Sequence, residues 1–219
     1  MSKGIPERVA PQYTVKGFFI GLTIVGLISG AFFLYFIKGL YLLPDKVCDG
    51  AVQRDIAIRT LPRARAAEEW ADQGGTGRRF SFACRVSTSG DSIISGQVDL
   101  RESSKAAWVD SYGSLAADHV IRVSKDGVEA LAQMDSDTDS SASVYVPCVP
   151  TKMKEGDASH TYALVANAAV IGKSRATGTE LRQALTDFAY QLTKHAYKLA
   201  ECQDPRSFPE KLPRYEHAR

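Results

Sequence analysis

The longest uninterrupted apolar stretch lies near the start of the chain. Gly17 to Ile37 (GFFIGLTIVGLISGAFFLYFI) contains no ionisable side chain. At about 1.5 Å rise per residue, a helix of that length covers roughly 30 Å, the thickness of a bilayer's hydrocarbon core. Lys16 and Lys38 bracket the run, and Tyr13, Tyr35 and Tyr41 stand where interfacial aromatics collect. A secretory signal has a shorter apolar region of about 7–15 residues and a small-residue cleavage site. Here GLYLLP follows instead. The pattern predicts an uncleaved membrane anchor rather than a buried core helix.

Beyond the anchor the periodicity changes repeatedly. Ala51, Val52, Ile56, Ile58 and Leu61 predict a short helix after Cys48 that stops near Pro62. Ala- and Glu-rich Arg63–Gln73 predicts a second helix, ended by Gly74-Gly75-Thr76-Gly77. Arg79–Ser87 and Ile93–Arg101 read as a hairpin around Thr88-Ser89-Gly90-Asp91. In its second strand Ile94, Val98 and Leu100 share one face, while Ser95, Gln97, Asp99 and Arg101 share the other. That alternation describes a sheet with one dry side. His119–Val123, Ser143–Val149 and His160–Ile171 are further strands, with a turn at Lys125-Asp126-Gly127, and Val128–Met134 fits helix or strand.

The last element has the clearest pattern. Thr177-Gly178-Thr179-Glu180 offers a capping box, and Leu181, Leu185, Phe188, Leu192, Ala196 and Leu199 recur at helical spacing. This helix should lie across the dry face of the sheet. After Cys202, Pro205, Pro209 and Pro213 stand among charges and predict an extended, flexible tail. The fold class read from these patterns is α+β: one N-terminal transmembrane helix, then a single largely antiparallel sheet domain with helices packed on one face. The expected organisation is a cytoplasmic tail (1–16), the membrane helix (17–37), a neck (38–47), an extracytoplasmic domain (48–202) and a Pro-rich tail (203–219).

Orientation is not decided by charge. Lys3, Arg8 and Lys16 precede the helix, and Lys38, Lys46 and Arg54 follow it. The cysteines must decide. Cys48, Cys84, Cys148 and Cys202 all follow the anchor and are widely dispersed, so no C-x-x-C pair exists. Zinc sites and thioredoxin-like motifs need close pairs, so this spacing suits neither. Dispersed, even-numbered cysteines fit disulfides in an oxidising compartment, with buried reduced thiols in the cytoplasm as the alternative. Three connectivities are open; the symmetrical one joins Cys48 to Cys84 and Cys148 to Cys202.

The whole chain has 27 Lys+Arg against 25 Asp+Glu, a formal net charge of +2, too small a basic excess for a dedicated nucleic-acid binder. Residues 1–37 contribute three basic and one acidic side chain, so the remainder is formally neutral. Hydrophobic residues at 44% and charged residues at 24% exclude wholesale disorder.

Motifs that would carry chemistry are incomplete. Gly74–Arg79 lacks the Lys-Ser/Thr of a phosphate loop and precedes a strand. Asp135, Asp137 and Asp139 start like a calcium loop, but Ser140 and Val146 occupy the positions of its glycine and bidentate glutamate. His119, His160, His195 and His217 form no H-x-x-x-H pair, and His195 falls near the apolar stripe of the last helix. Trp70 and Trp108 read as core anchors. Arg54, Arg59, Arg63 and Arg65 read as a solvated helix face, with anionic headgroups as their functional alternative. Gly17/Gly21 and Gly26/Gly30 give small-xxx-small spacings on two helix faces. These readings assign no catalytic, metal or cofactor-binding residue.

The VCDGAV segment with Leu61-Pro62 after it, FSFAC, VYVPC and the closing LAEC together resemble actinobacterial single-pass membrane proteins with a small extracytoplasmic domain of unknown function. The resemblance spans Cys48 to Cys202 and rests on the four cysteines and Asp49-Gly50. It implies surface location and paired cysteines. The expected function is a membrane-tethered, non-enzymatic binding module of the cell envelope. Its expected partners are the lipid bilayer and an envelope protein or a second copy through the membrane helix, with no nucleic acid and no cofactor. The alternatives are an envelope hydrolase with dispersed catalytic residues, built around His160 or His119, and an accessory subunit of a membrane complex.

Overall fold

The computed structural model describes residues 15–37, 39–113, 120–134, 140–151 and 161–215. The chain begins with helix α1 (Val15–Ile37) and a 3-10 turn (Gly39–Leu42). A small hairpin of β1 (Lys46–Val47) and β2 (Val52–Gln53) follows, then α2 (Arg54–Thr60), which stops before Pro62 as its ring requires. The main sheet is built from β3 (Ala67–Gly74), β4 (Ser81–Thr88), β5 (Ile93–Glu102), β6 (Val120–Lys125), β7 (Val128–Met134), β8 (Ser140–Pro147) and β9 (Tyr162–Ile171). Helix α3 (Lys105–Gly113) separates β5 from β6, and α4 (Gly178–Leu199) follows β9. The seven strands run in the order β3-β4-β5-β9-β8-β7-β6, every neighbouring pair antiparallel. The expected α+β class with a large antiparallel sheet is therefore correct.

β9 lies at the centre, and its composition explains why. A strand buried on both faces needs a near-continuous apolar run, and YALVANAAVI supplies one. On one face Phe82, Val86, Ile94, Val98, Leu164, Ala166 and Val144 meet the stripe of α4, where Leu181, Leu185, Phe188 and Leu192 are fully buried. Gly96 permits the closest approach: a Cβ there would lie 2.6 Å from Leu192 Cδ1 and 2.9 Å from Phe188 Cε1.

Three expectations need correction. The Arg63–Gln73 helix is instead the edge strand β3, whose pairing with β4 runs from Ala67↔Thr88 to Gly74↔Ser81. Cross-strand pairing overrides the helical preference of Ala and Glu in this segment. Nor are the helices confined to one face. The link from β5 to the far-edge strand β6 passes over three strands, β9, β8 and β7, and α3 within it covers the opposite face, burying Trp108 against Leu131, Tyr145, Ala163 and Val165. Finally, the Pro-rich tail is irregular but packed along α4. Leu212 and Tyr215 are buried, Thr186 and Tyr215 share a hydrogen bond of 2.7 Å, and the Tyr215 N–H donates to Gln183 Oε1. Thr177 does hold the N-cap position of α4, but its side chain makes no capping hydrogen bond.

α1 forms over the expected apolar run. Its described large apolar side chains are all half or more exposed, from Ile24 at 50% to Leu27 at 69%. They point in every direction around the axis. Its side chains are described only over Lys16–Phe32. Among the described residues, no helix is long and apolar enough, over an 18-residue window, to cross a membrane.

Candidate functional site

The four cysteines pair as Cys48–Cys84 and Cys148–Cys202, with Cα separations of 5.5 and 5.2 Å. Cys84 lies in β4 under α4, but Cys48 does not open a helix. It sits in the β1–β2 turn, where Cys48, Asp49 and Gly50 have φ of 57°, 54° and 79°. Two non-glycine residues in succession in the left-handed region are uncommon. This turn is held by the disulfide, by Cys48 N–H donating to the Glu69 carboxylate, and by Ala51 N–H donating to the Cys48 carbonyl at 3.0 Å. The second disulfide closes a clamp between the chain after β8 and the end of α4. There Gln203 N–H donates to Val149 O at 2.7 Å and Thr151 N–H to Glu201 O at 3.1 Å.

The Cys48 turn forms one lip of a pocket of about 240 Å³, whose floor is the exposed side of α4. Lys46, Gly50, Ala51 and Gln53 line it from the hairpin; Tyr190, Gln191, Lys194, His195 and Lys198 line it from α4; Glu210 lines it from the tail. Gln53 N–H donates to Gln191 Oε1 at 2.8 Å, fastening the hairpin to the helix. Tyr190 Oη donates to the Pro209 carbonyl, fastening the tail to the same helix. Burial, reinforced by Asp126, pushes the Tyr190 phenol up to about 12, so it stays a neutral donor. His195 fulfils its packing role, with its ring 5.1 Å from Phe82, yet it also faces this pocket. Burial holds its imidazole below the usual range, Lys198 adds to that, and Asp49 opposes both.

A second depression continues along α4, sharing Gln53, Tyr190, Gln191 and Glu210 with the first. It contains Asp187, whose carboxyl is raised by burial and by Asp55, against the pull of Gln183, Arg214 and Arg59. Gln183 Nε2 donates to Asp187 Oδ1 at 3.0 Å, and Arg59 stands 3.8 Å from its other oxygen.

The remaining candidates scatter. Trp108 is the expected core anchor, 2% exposed, with Nε1 donating to Ser143 Oγ at 3.0 Å. Trp70 is not; it stands 51% exposed on the edge strand, under the guanidinium of Arg85. Arg54 turns back to the neck, donating to the carbonyls of Tyr41 and Leu43 and pairing with Asp45 at 2.7 Å. Arg59 pairs with Asp55, while Arg63 and Arg65 are exposed. The Gly74–Gly77 loop joins β3 to β4 through a 3-10 turn and cradles no helix. Asp135, Asp137, Asp139, His119, His160 and His217 lie outside the described residues. Among the described residues, no group of three His, Cys, Asp or Glu could hold a metal ion.

Sequence reading misses one cluster. Glu129, only 6% exposed, accepts from Lys105 at 2.5 Å and from two nitrogens of Arg122 at 2.9 and 3.1 Å. Burial would raise its carboxyl, but those hydrogen bonds and charges outweigh it and hold the group below the usual range. Arg122 and Glu129 meet across the β6–β7 hairpin, whereas Lys105 reaches Glu129 only because α3 crosses the sheet. No protein-family model, curated protein or solved structure matches this chain.

Proposed function

We propose that the chain is a membrane-tethered, non-enzymatic binding module of the cell envelope, with residues 1–16 cytoplasmic and the sheet domain outside. The observation that carries this reading is the contrast between the two ends of the neck. On one side is a helix whose described apolar side chains are exposed all round. On the other is a domain whose four cysteines are all paired. An apolar surface of that kind is stable in lipid or against another apolar surface, not in water. Paired cysteines persist in oxidising compartments. The two requirements are met together where the helix lies in a bilayer and the domain lies beyond it. A Cβ added at Gly21, Gly26 or Gly30 would meet nothing within 4 Å, which leaves small-residue faces open to a second helix.

The tether would confine the α4 pocket to the membrane surface and raise its effective concentration for neighbours there. Protease added to intact cells should remove the domain while leaving the segment from Met1 to Lys16 protected. A domain that survives outside protease but is cleaved after permeabilisation would reverse the orientation.

A further inference from the structure

The pocket beside the Cys48 turn is chemically distinct from the domain around it. Residues 38–219 are formally neutral. This pocket gathers three lysines, Lys46, Lys194 and Lys198, against one carboxylate, Glu210. The lysines come from two elements, β1 and α4, held together by the Gln53–Gln191 hydrogen bond at 2.8 Å. The Gln53 and Gln191 amides, the His195 imidazole, the Tyr190 phenol, Gly50 and Ala51 complete the lining. Such a set offers cationic and neutral N–H donors from several directions and few competing acceptors. That suits a compact anion with several oxygens better than a single carboxylate. At roughly 30 Å³ per water molecule, a volume of about 240 Å³ holds a tetrahedral oxyanion together with part of the group that carries it.

We propose that this pocket binds a phosphoryl group, as a phosphate monoester or diester, with Lys46, Lys194 and Lys198 as its charged donors and His195 beside it. The turn is the device that builds the pocket. Its left-handed residues and the Cys48–Cys84 bond fix the hairpin, and with it Lys46 and Gln53, over α4. Strained backbone persists where the surroundings over-determine it and is often used to position a site. Glu210 in the lining, Asp49, which acts on His195 from this turn, and Asp126, which acts on Tyr190, are acidic groups whose field an anion would meet. Binding is therefore expected to be moderate and to weaken as salt rises. The proposal rests on the envelope reading for the ligand's source only, since the pocket binds or fails to bind whichever side of the membrane it faces.

The test is a titration of the full chain in neutral detergent micelles, following the His195 ring resonance by NMR. Three probes are used separately: inorganic phosphate, glycerol phosphate, and phosphatidylglycerol added to the micelles, each with chloride-matched controls. The expected result is a saturable shift of the His195 resonance with at least one probe. The variant carrying Lys194→Gln and Lys198→Gln should bind it at least roughly tenfold more weakly, since each charged hydrogen bond contributes on that scale. Lys173→Gln, away from the pocket, should leave the affinity unchanged. Saturation by soluble phosphates identifies a free phosphate ester; saturation by phosphatidylglycerol alone identifies a lipid headgroup. No saturable shift with any probe overturns the proposal, as does equal affinity in the double lysine variant. Lys46→Gln, on an exposed hairpin residue, repeats the test should the double variant fold poorly.

Discussion

Gly96 is where the fit of α4 on the sheet is tightest, and replacing it measures that fit directly. A methyl at this position would stand 2.6 Å from Leu192 Cδ1, 2.9 Å from Phe188 Cε1 and 3.2 Å from the Asn167 carbonyl. Ordinary carbon–carbon contact begins near 3.5–4.0 Å, so the helix side chains would have to retreat by about 1 Å. Leu192 and Phe188 are both 0% exposed, and neither can swing into solvent. Overpacking of this kind costs roughly 1–3 kcal/mol. Alanine's better strand propensity returns up to about 1 kcal/mol of that. For Gly96→Ala we therefore expect a net loss of about 1–2 kcal/mol, or about 2–8 °C in Tm for a domain of this size. Gly96→Val should cost more. Gly90→Ala is the control, because nothing lies within 4 Å of a Cβ there. Thermal unfolding of the full chain in detergent, followed by near-UV circular dichroism, measures all three. A Gly96→Ala protein as stable as the parent would show that α4 does not rest on β5 as described.

The other predictions concern covalent and ionic ties. Replacing Cys48 and Cys84 by Ser, or Cys148 and Cys202, opens loops of 36 or 54 residues. Each loss should cost about 4 kcal/mol by chain entropy. The loops do not overlap, so the costs should add, and urea titration of the variant lacking both bonds should find the domain largely unfolded. Glu129 and Asp187 should act oppositely in acid. The Glu129 carboxyl is depressed in the fold, so its contribution is present above the unfolded value and is lost as pH falls below it; Glu129→Gln should flatten the loss of stability between about pH 5 and 3. Asp187 is raised, so its ionisation disfavours the fold above its unfolded value; Asp187→Asn should match or exceed the parent's stability at pH 7, measured by the same urea titration.

Those ties show where sequence reading succeeds and where it stops. The stripe from Leu181 to Leu199 and the alternation around Ile94 and Val98 each record a local periodicity, and both elements form where the pattern puts them. Of the three open connectivities the symmetrical one forms, although Cys48 lies in the β1–β2 turn and Cys84 inside β4 rather than at the end of a helix or strand. Ala67–Gly74 has no dominant period, so its state depends on what lies beside it, and Val86 and Arg85 of β4 are that neighbour. The path of α3 is a tertiary choice, made by a sheet order that brings β9 between β5 and β8. The pocket is half legible. Asp49-Gly50 and His195 each stand out in the sequence, but nearly the whole domain separates them along the chain. Only the fold of the hairpin onto α4 places them together.

The arrangement of the two disulfides also bears on how the domain is assembled. Each cysteine is bonded to its neighbour in the chain, first to second and third to fourth. In the proposed orientation the domain crosses the membrane from its N-terminal end. Cys48 and Cys84 then arrive as the only thiols present, and Cys148 follows well after them. At about 5–20 residues per second, the stretch between Cys84 and Cys148 takes several seconds to emerge, comparable with the faster end of disulfide formation. Order of arrival alone would favour the native pairs. A chain built this way has little need of an isomerase to sort its thiols, whereas the same cysteines oxidised all at once, after refolding from denaturant, face all three connectivities.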